Sequence, residues 1–376
     1  MVGTALDGQL RSSAARPRAR PRFALATAGD DSAIRRLLRA NPMRGSISLT
    51  FEREPDYFRG ANLGGADDRT IVAFDDGRLI CMGRCTTREC WINQRVGRVD
   101  YLAELRLDRS APGRFDVLRG GYRFFHELHR HEPADFTFTS IAADNDRARR
   151  FLERGLPGLP RYEFLTGLTT VLVATKRSRA PAMILEPGTP GELAAFFNEA
   201  AARNHLSAAW TAHTLGSLAN HNLPLESFGV VRERGRIIAA AALWDQRPFR
   251  QTVIRDYAPV LTLARPLLNA VGPLFGLPPL PPRGSVLSHA FLSPLALAPG
   301  SALALPNVIA AFSARAAQRG FEFLTLALPS DDVRLGAIKR RFRCRTYASR
   351  LYRVTWPGDA APALDLRPIL PDVSLL

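Results

Sequence analysis

Lysine is nearly missing from this chain. Of 51 Lys and Arg residues only Lys176 and Lys339 are lysine, so the formal net charge of +16 is carried almost wholly by arginine. Guanidinium forks suit phosphates and carboxylates, which makes a phosphorylated cofactor or an acidic partner the natural counterpart. There is no basic motif interleaved with aromatic residues, and charge alone does not imply nucleic acid. Cysteine is also scarce. Four residues in 376 exclude a disulfide scaffold, and Cys81, Cys85 and Cys90 fall along a strand-like run as thiols of core or surface, not as a metal set. A long uninterrupted apolar run is absent too. The most apolar segment, Ala258 to Pro282, has Arg265 as its only charge but is broken by prolines and glycines, which excludes a spanning helix of about 20 residues. Residues 1–22 carry five arginines against one acid, Asp7, and lack the apolar stretch of a secretory signal. They read as a disordered basic arm, and the expected location is cytoplasmic.

What is present is a globular composition, 46% hydrophobic and 23% charged, in a chain long enough for two cores. The chain is written twice. Val72-x4-Gly77-Arg78 recurs as Val230-x4-Gly235-Arg236, at an offset of 158. Gly97-x-Val99, followed by Ala111-Pro112-Gly113, recurs 187 residues on as Gly284-x-Val286, followed by Ala298-Pro299-Gly300. Phe136-x-Phe138 and Tyr162 recur at 185, as Phe321-x-Phe323 and Tyr347. An offset that jumps once and then holds is the mark of a duplication with one insertion, here between Ile238 and Gly284. Each copy reads as helix, hairpin, long strand, turn and helix, strand, short helix and closing strand, which predicts an α/β fold with a mixed sheet covered by helices. The expected boundaries are 23–177 and 183–357, with an apolar insertion at about 257–283 and a tail over 358–376.

One stretch of the first copy carries chemistry. The strand Arg98 to Leu107 breaks at Pro112-Gly113 and a helix follows from Arg114. At such a turn the free amides and the helix dipole make a seat for an anion, with Arg109 and Arg114 as added charge. On the following helix, His126 and His129 share a face near His131 and Glu132, and read as a solvated helix end.

The order of elements and these residues resemble the GNAT acyltransferase superfamily. Its Leu-x-Val strand and (Arg/Gln)-x-x-Gly-x-(Gly/Ala) turn are matched by Leu105-Arg106-Leu107 and by Arg109, Gly113, Arg114 and Phe115. Its Asn-x-x-Ala marker is matched by Asn145-Asp-Arg-Ala148, followed by Phe151 and Gly155. The resemblance covers about residues 23–177 and, more faintly, 183–357. It implies two tandem GNAT-like domains, each a mixed, mostly antiparallel sheet flanked by helices, with acetyl-CoA or a longer acyl-CoA as co-substrate, no metal, and a small-molecule amine as acceptor. By the same resemblance Leu105, Arg106, Leu107, Arg109, Gly113, Arg114, Phe115 and Asn145 hold the cofactor. The turn departs from the family in having one glycine and one extra residue after Arg109. The tyrosine that protonates the departing thiolate in many members is Leu152 here, which leaves Tyr101, Tyr122, Tyr162 or a water for that role.

Amine acylation needs a base and an oxyanion contact. Glu104, just before the Leu-x-Leu strand, is the expected base, balanced by the alternative of a Glu paired with arginine. The second copy has no arginine beside Gly300 and carries His289 in its strand, so it reads as a copy without the cofactor that supplies packing or the acceptor pocket. Two other readings stay open: a Fem-like transferase using aminoacyl-tRNA, and an acyl-CoA-binding protein without catalysis.

Overall fold

The computed structural model describes residues 21–43, 45–111, 114–130, 132–176, 183–275, 279–359 and 362–376. The first half runs through β1 (Arg22–Leu25), α1 (Asp31–Ala40), β2 (Ile47–Glu52), the hairpin β3 (Asp67–Asp75) and β4 (Arg78–Ile92), and β5 (Arg95–Leu107). It continues through α2 (Arg114–His129), β6 (Phe136–Ala142), α3 (Asp146–Leu152) and β7 (Arg161–Ala174). The second half repeats the order with α4 (Pro190–Ala201), a short α5 (Ala212–Ser217), the hairpin β8 (Phe228–Glu233) and β9 (Arg236–Trp244), and then an insertion of β10 (Gln251–Tyr257) and α6 (Pro259–Val271). It resumes with β11 (His289–Leu297), α7 (Leu305–Gln318), β12 (Phe323–Pro329), α8 (Arg334–Arg341) and β13 (Cys344–Thr355).

Local chemistry accounts for the matched elements. The hairpins turn at Asp76-Gly77 and Arg234-Gly235, where all four residues have positive φ, as a two-residue turn between twisted strands requires. Helix α4 begins with Pro190 behind Thr189, which forms a capping box with Glu192. Helix α1 turns Ile34, Leu37 and Leu38 onto Val72 and Met82 of the sheet, while Val117 of α2 packs on Ala73 and Cys81 from the opposite face. Cys81, Cys85 and Cys90 are free and buried.

The two sets of strands fuse into one eleven-stranded sheet of order β1-β3-β4-β5-β6-β13-β7-β12-β11-β9-β8. All pairings are antiparallel except β5 with β6 and β11 with β12. The closing strands have changed places: β13, the last strand of the second half, lies between β6 and β7, and β7 pairs with β12 of the second half. The insertion also crosses over, because β10 forms a separate two-stranded sheet with β2 of the first half.

Exchanged strands make each half depend on the other, since an exposed strand edge leaves a row of unpaired backbone groups. Residues 21–176 expressed alone should therefore lack fixed tertiary structure, with near-ultraviolet circular dichroism returning when residues 183–376 are added. A sharp, cooperative unfolding transition of the isolated fragment would contradict this dependence.

Candidate active site

Strands β5 and β6 pair only from Val99 opposite Phe136 to Leu102 opposite Thr139. Beyond that point β5 stays with β4 while Ser140, Ile141 and Ala142 of β6 follow β13, so the two strands part in a V. The parting coincides with a bulge: Met82 faces Arg106 but Arg84 faces Ala103, so Gly83 alone opposes Glu104 and Leu105. Glu104 sits at φ +54°, a conformation that L side chains other than Asn, Asp or His rarely adopt.

A buried charge cluster fixes this strained residue. Arg53 donates from Nε to the Glu104 carboxylate at 2.9 Å, Tyr57 donates at 3.0 Å, and Arg84 Nε stands 3.7 Å away. Burial by itself would raise the Glu104 carboxyl, but the charges of Arg53 and Arg84, with Arg250 behind them, override it and hold the group far below the ordinary carboxylate range. Arg84 also reaches Asp68 at 3.4 Å.

The V opens into a cavity of about 710 Å³ whose walls come from both halves, including Met82, Leu102 and Ile141 from the first and Ile254, Leu287 and Phe323 from the second. Its lining is mostly apolar, with polar groups at a few points. Tyr101 shares a hydrogen bond with Ser140 Oγ at 2.6 Å across the foot of the V, and burial raises its phenol. His289 Nδ1 lies 3.0 Å from Thr325 Oγ1. Burial, then the charges of Arg247 and Arg250, pull this imidazole down to about 4, so it is neutral at pH 7. The corresponding strands β11 and β12 also part after Phe291 and Thr325, but there Ser293 of β11 bonds Asp372 and Ser374, and Leu375 is buried beside Ala296. The tail of the chain is thus folded onto the second copy's strand.

Comparison with known proteins places this geometry. No family profile and no curated protein matches the sequence. Among solved structures, the chain is similar to a GCN5-related N-acetyltransferase from Sphaerobacter thermophilus, with a TM-score of 0.54 at 14% identity over 93% of this chain and 98% of that one. It is also similar to Saccharomyces cerevisiae N-myristoyltransferase with bound myristoyl-CoA, with a TM-score of 0.58 at 10% identity over 94% of this chain and 89% of that one. The chain has a tandem GNAT fold. In this GNAT framework the parted strands are β5 and β6, and the second half closes the far side of the cavity.

The expected site residues fall unevenly on the tandem GNAT frame. Glu104, Tyr101, Leu105, Arg106 and Asn145 all line the cavity. Asn145 caps α3, its Oδ1 accepting from the Ala148 amide at 3.3 Å. Arg106 folds back to donate to the Leu105 carbonyl at 3.0 Å, and Leu107 pairs with Cys81 as β5 ends. Arg109 is exposed, and Phe115 packs edge-on against Phe151. Gly113 and Pro112 lie outside the described residues, as do the side chain of Arg114 and His131. Two amides just before that turn are already committed, Ser110 N to Asp108 Oδ1 at 2.8 Å and Ala111 N to the Asp108 carbonyl at 3.1 Å. The expectation of a solvated helix end is corrected for His129: the last turn of α2 lies on the sheet, so His129 is buried, and it meets Cys85 and Asp100 with ligand atoms within 4.8 Å of one another.

Sequence reasoning missed Arg53, Tyr57, Arg84 and Arg250, which no local motif ties to Glu104. A buried ion pair broken on one side costs about 3–5 kcal/mol, because the remaining charge stays buried without its partner. Glu104→Gln should lower stability by about that amount at pH 7. Because the folded carboxyl is held low, its contribution is complete above the ordinary glutamate value of 4.5 and fades as the pH falls below it. Wild type and variant should therefore converge in urea unfolding as the solution is acidified. Equal stability at pH 7 would remove the cluster from this role.

Proposed function

We propose that this tandem GNAT protein is an N-acyltransferase that takes an acyl group from acyl-CoA and passes it to an amine in the cavity between its halves. The observation that carries the reading is the V between β5 and β6 opening directly into an apolar cavity of about 710 Å³. Strand edges facing a V offer backbone groups with no strand partner to an extended pantetheine arm, much as an added strand would be held. An amide of Leu105 to Leu107 then serves as the oxyanion contact for the thioester carbonyl. The likeness to an N-myristoyltransferase that holds myristoyl-CoA supports an acyl-CoA donor.

The residue roles follow the electrostatics. The amine nitrogen attacks the thioester carbonyl, the carbon–sulfur bond breaks, and the CoA thiolate accepts a proton. Tyr101, kept protonated by burial at the foot of the V, is the proposed donor to that thiolate. Glu104, clamped by Arg53 and Tyr57, is a poor proton acceptor, and its proposed role is to hold the bulge that keeps the V open. His289, neutral and set in the cavity wall by the second half, is too weakly basic to keep the ammonium proton, and its proposed role is to accept a hydrogen bond from the attacking amine and orient it while that proton leaves to water. His289→Gln should lower kcat at least tenfold while leaving the binding of acyl-CoA intact, and an unchanged kcat would remove His289 from the acceptor side of the site.

The size and apolar lining favour a long acyl chain over acetyl. Each buried methylene contributes up to about 0.8 kcal/mol, roughly fourfold in affinity. Melting temperatures measured with acetyl-, octanoyl- and palmitoyl-CoA at equal concentration should rise in that order, because tighter ligands stabilise the folded state more. Gly83→Phe, which adds bulk beside the Leu105 side chain where a Cβ has room, should abolish the long-chain preference. No shift with any thioester would sink the donor assignment, and equal shifts would sink the chain-length assignment.

A further inference from the structure

Helix α6 is inverted for a surface helix: Arg265 and Asn269 turn toward the segment beneath it, while most of its large apolar side chains are exposed. Thr262 donates to the Tyr257 carbonyl at 3.2 Å, and Arg265 to the Leu280 carbonyl at 3.1 Å with its guanidinium over the Tyr257 ring. Asn269 exchanges two hydrogen bonds with the Leu280 backbone. Each polar side chain of the helix is thus matched by the segment beneath it. The outward face carries Val260, Leu263 and Leu267, which are 80%, 83% and 68% exposed, and no charge at all, and Leu274 in the turn that follows is 83% exposed. A surface helix ordinarily does the reverse. At 13 residues, about 20 Å long, it is too short to cross a bilayer.

Its position gives the face a meaning. Leu261 packs from the inner side on Ile254, Tyr257 and Leu280, and this small cluster also walls the cavity through Ile254 and Leu280. Arg345 lines the same cavity beside Pro279 and Pro281, and its charge reaches the Tyr257 phenol. From Arg345 an exposed basic strip continues to Arg343, the next residue on the same side of the chain, and no acidic residue stands between Val333 and Gly358 in the sequence; Arg341, Arg340 and Lys339 lie on α8, which packs on the other face of the sheet. An uncharged leucine row, a cationic strip and a cavity rim therefore meet on one part of a chain of net charge +16.

We propose that α6 and the basic strip form a docking face for an anionic lipid surface, with the leucine row set among the acyl chains, the arginines at the headgroups, and the rim of the cavity held at the membrane. Leucines on the face of an interfacial helix supply buried apolar area, and nearby arginines supply attraction to anionic lipid. The positive charge makes a bilayer the fitting occupant, since a second copy of this chain would bring a second cationic strip against the first. The docking face stands on the helix and the strip and does not require the acyl-transfer reading.

Flotation of the full chain with phosphatidylcholine vesicles, with and without phosphatidylglycerol, tests this without any acyl-CoA present. Binding to the anionic vesicles is expected, weakening as salt is added. The double variant Leu263→Glu, Leu267→Glu changes only exposed side chains and should lose at least tenfold in binding while its unfolding curve is unchanged. Arg343→Glu should reduce binding by fivefold or more, about the effect of one basic residue near the surface. Failure to bind either vesicle, or equal binding by the leucine variant, overturns the proposal. So does an analytical ultracentrifugation result in which wild type is a dimer and the leucine variant a monomer, which would make a second copy the occupant.

Discussion

One buried carboxylate holds the middle of this molecule open. Glu104 takes a backbone conformation that its side chain disfavours, and there Arg53 and Tyr57 donate to its carboxylate while the charge of Arg84 stands 3.7 Å away. The bulge thus fixed turns β5 away from β6, and the gap is where the cavity begins. Without the ion cluster, closure of the two strands into a continuous ladder would satisfy more backbone groups. The opening is bought with local strain and secured by electrostatics.

The cluster is built across the halves. Arg53 follows β2, and β2 is held by β10 of the insertion in the second half. The Gln251 side chain, at the start of β10, accepts from the Glu54 amide and donates to its carbonyl, both at 2.9 Å, which fixes the backbone beside Arg53. Arg250 places a third cation near Glu104 and at the same time lowers His289. The exchanged strands β7 and β13 bind the halves into one sheet, so the site, the chamber and the insertion form a single mechanical unit. The duplication has become asymmetric by the same logic. In the first half the parted strands face a cavity, while in the second Ser293 and Ala296 are covered by the tail.

Much of the fold was legible because it rests on short-range signals. Glycines with positive φ mark both hairpins, apolar periodicity marks the helices that cover the sheet, and the repeated order of elements marks the duplication. Where signals were long-range the reading stopped. Strand exchange leaves no trace in local pattern, because β7 and β13 have the same apolar alternation whichever neighbour they pair with. Strands β1, β2 and β10 are too short or too polar to stand out, and β10 is recognisable only through its partner. His129 looked solvated because spacing reports which residues share a helix face, and not what that face meets.

The sequence by itself determined the α/β class, the twofold repeat and the loss of cations from the second turn, since each is a property of neighbours along the chain. It also brought Glu104, Tyr101 and Asn145 forward as residues worth locating. Only the tertiary structure decided that Glu104 is clamped and not free, that His289 stands neutral in a shared chamber, and that the leucines of α6 face outward. Protonation and exposure depend on burial and on charges that arrive from 20 to 146 positions away, and those distances are set by folding alone.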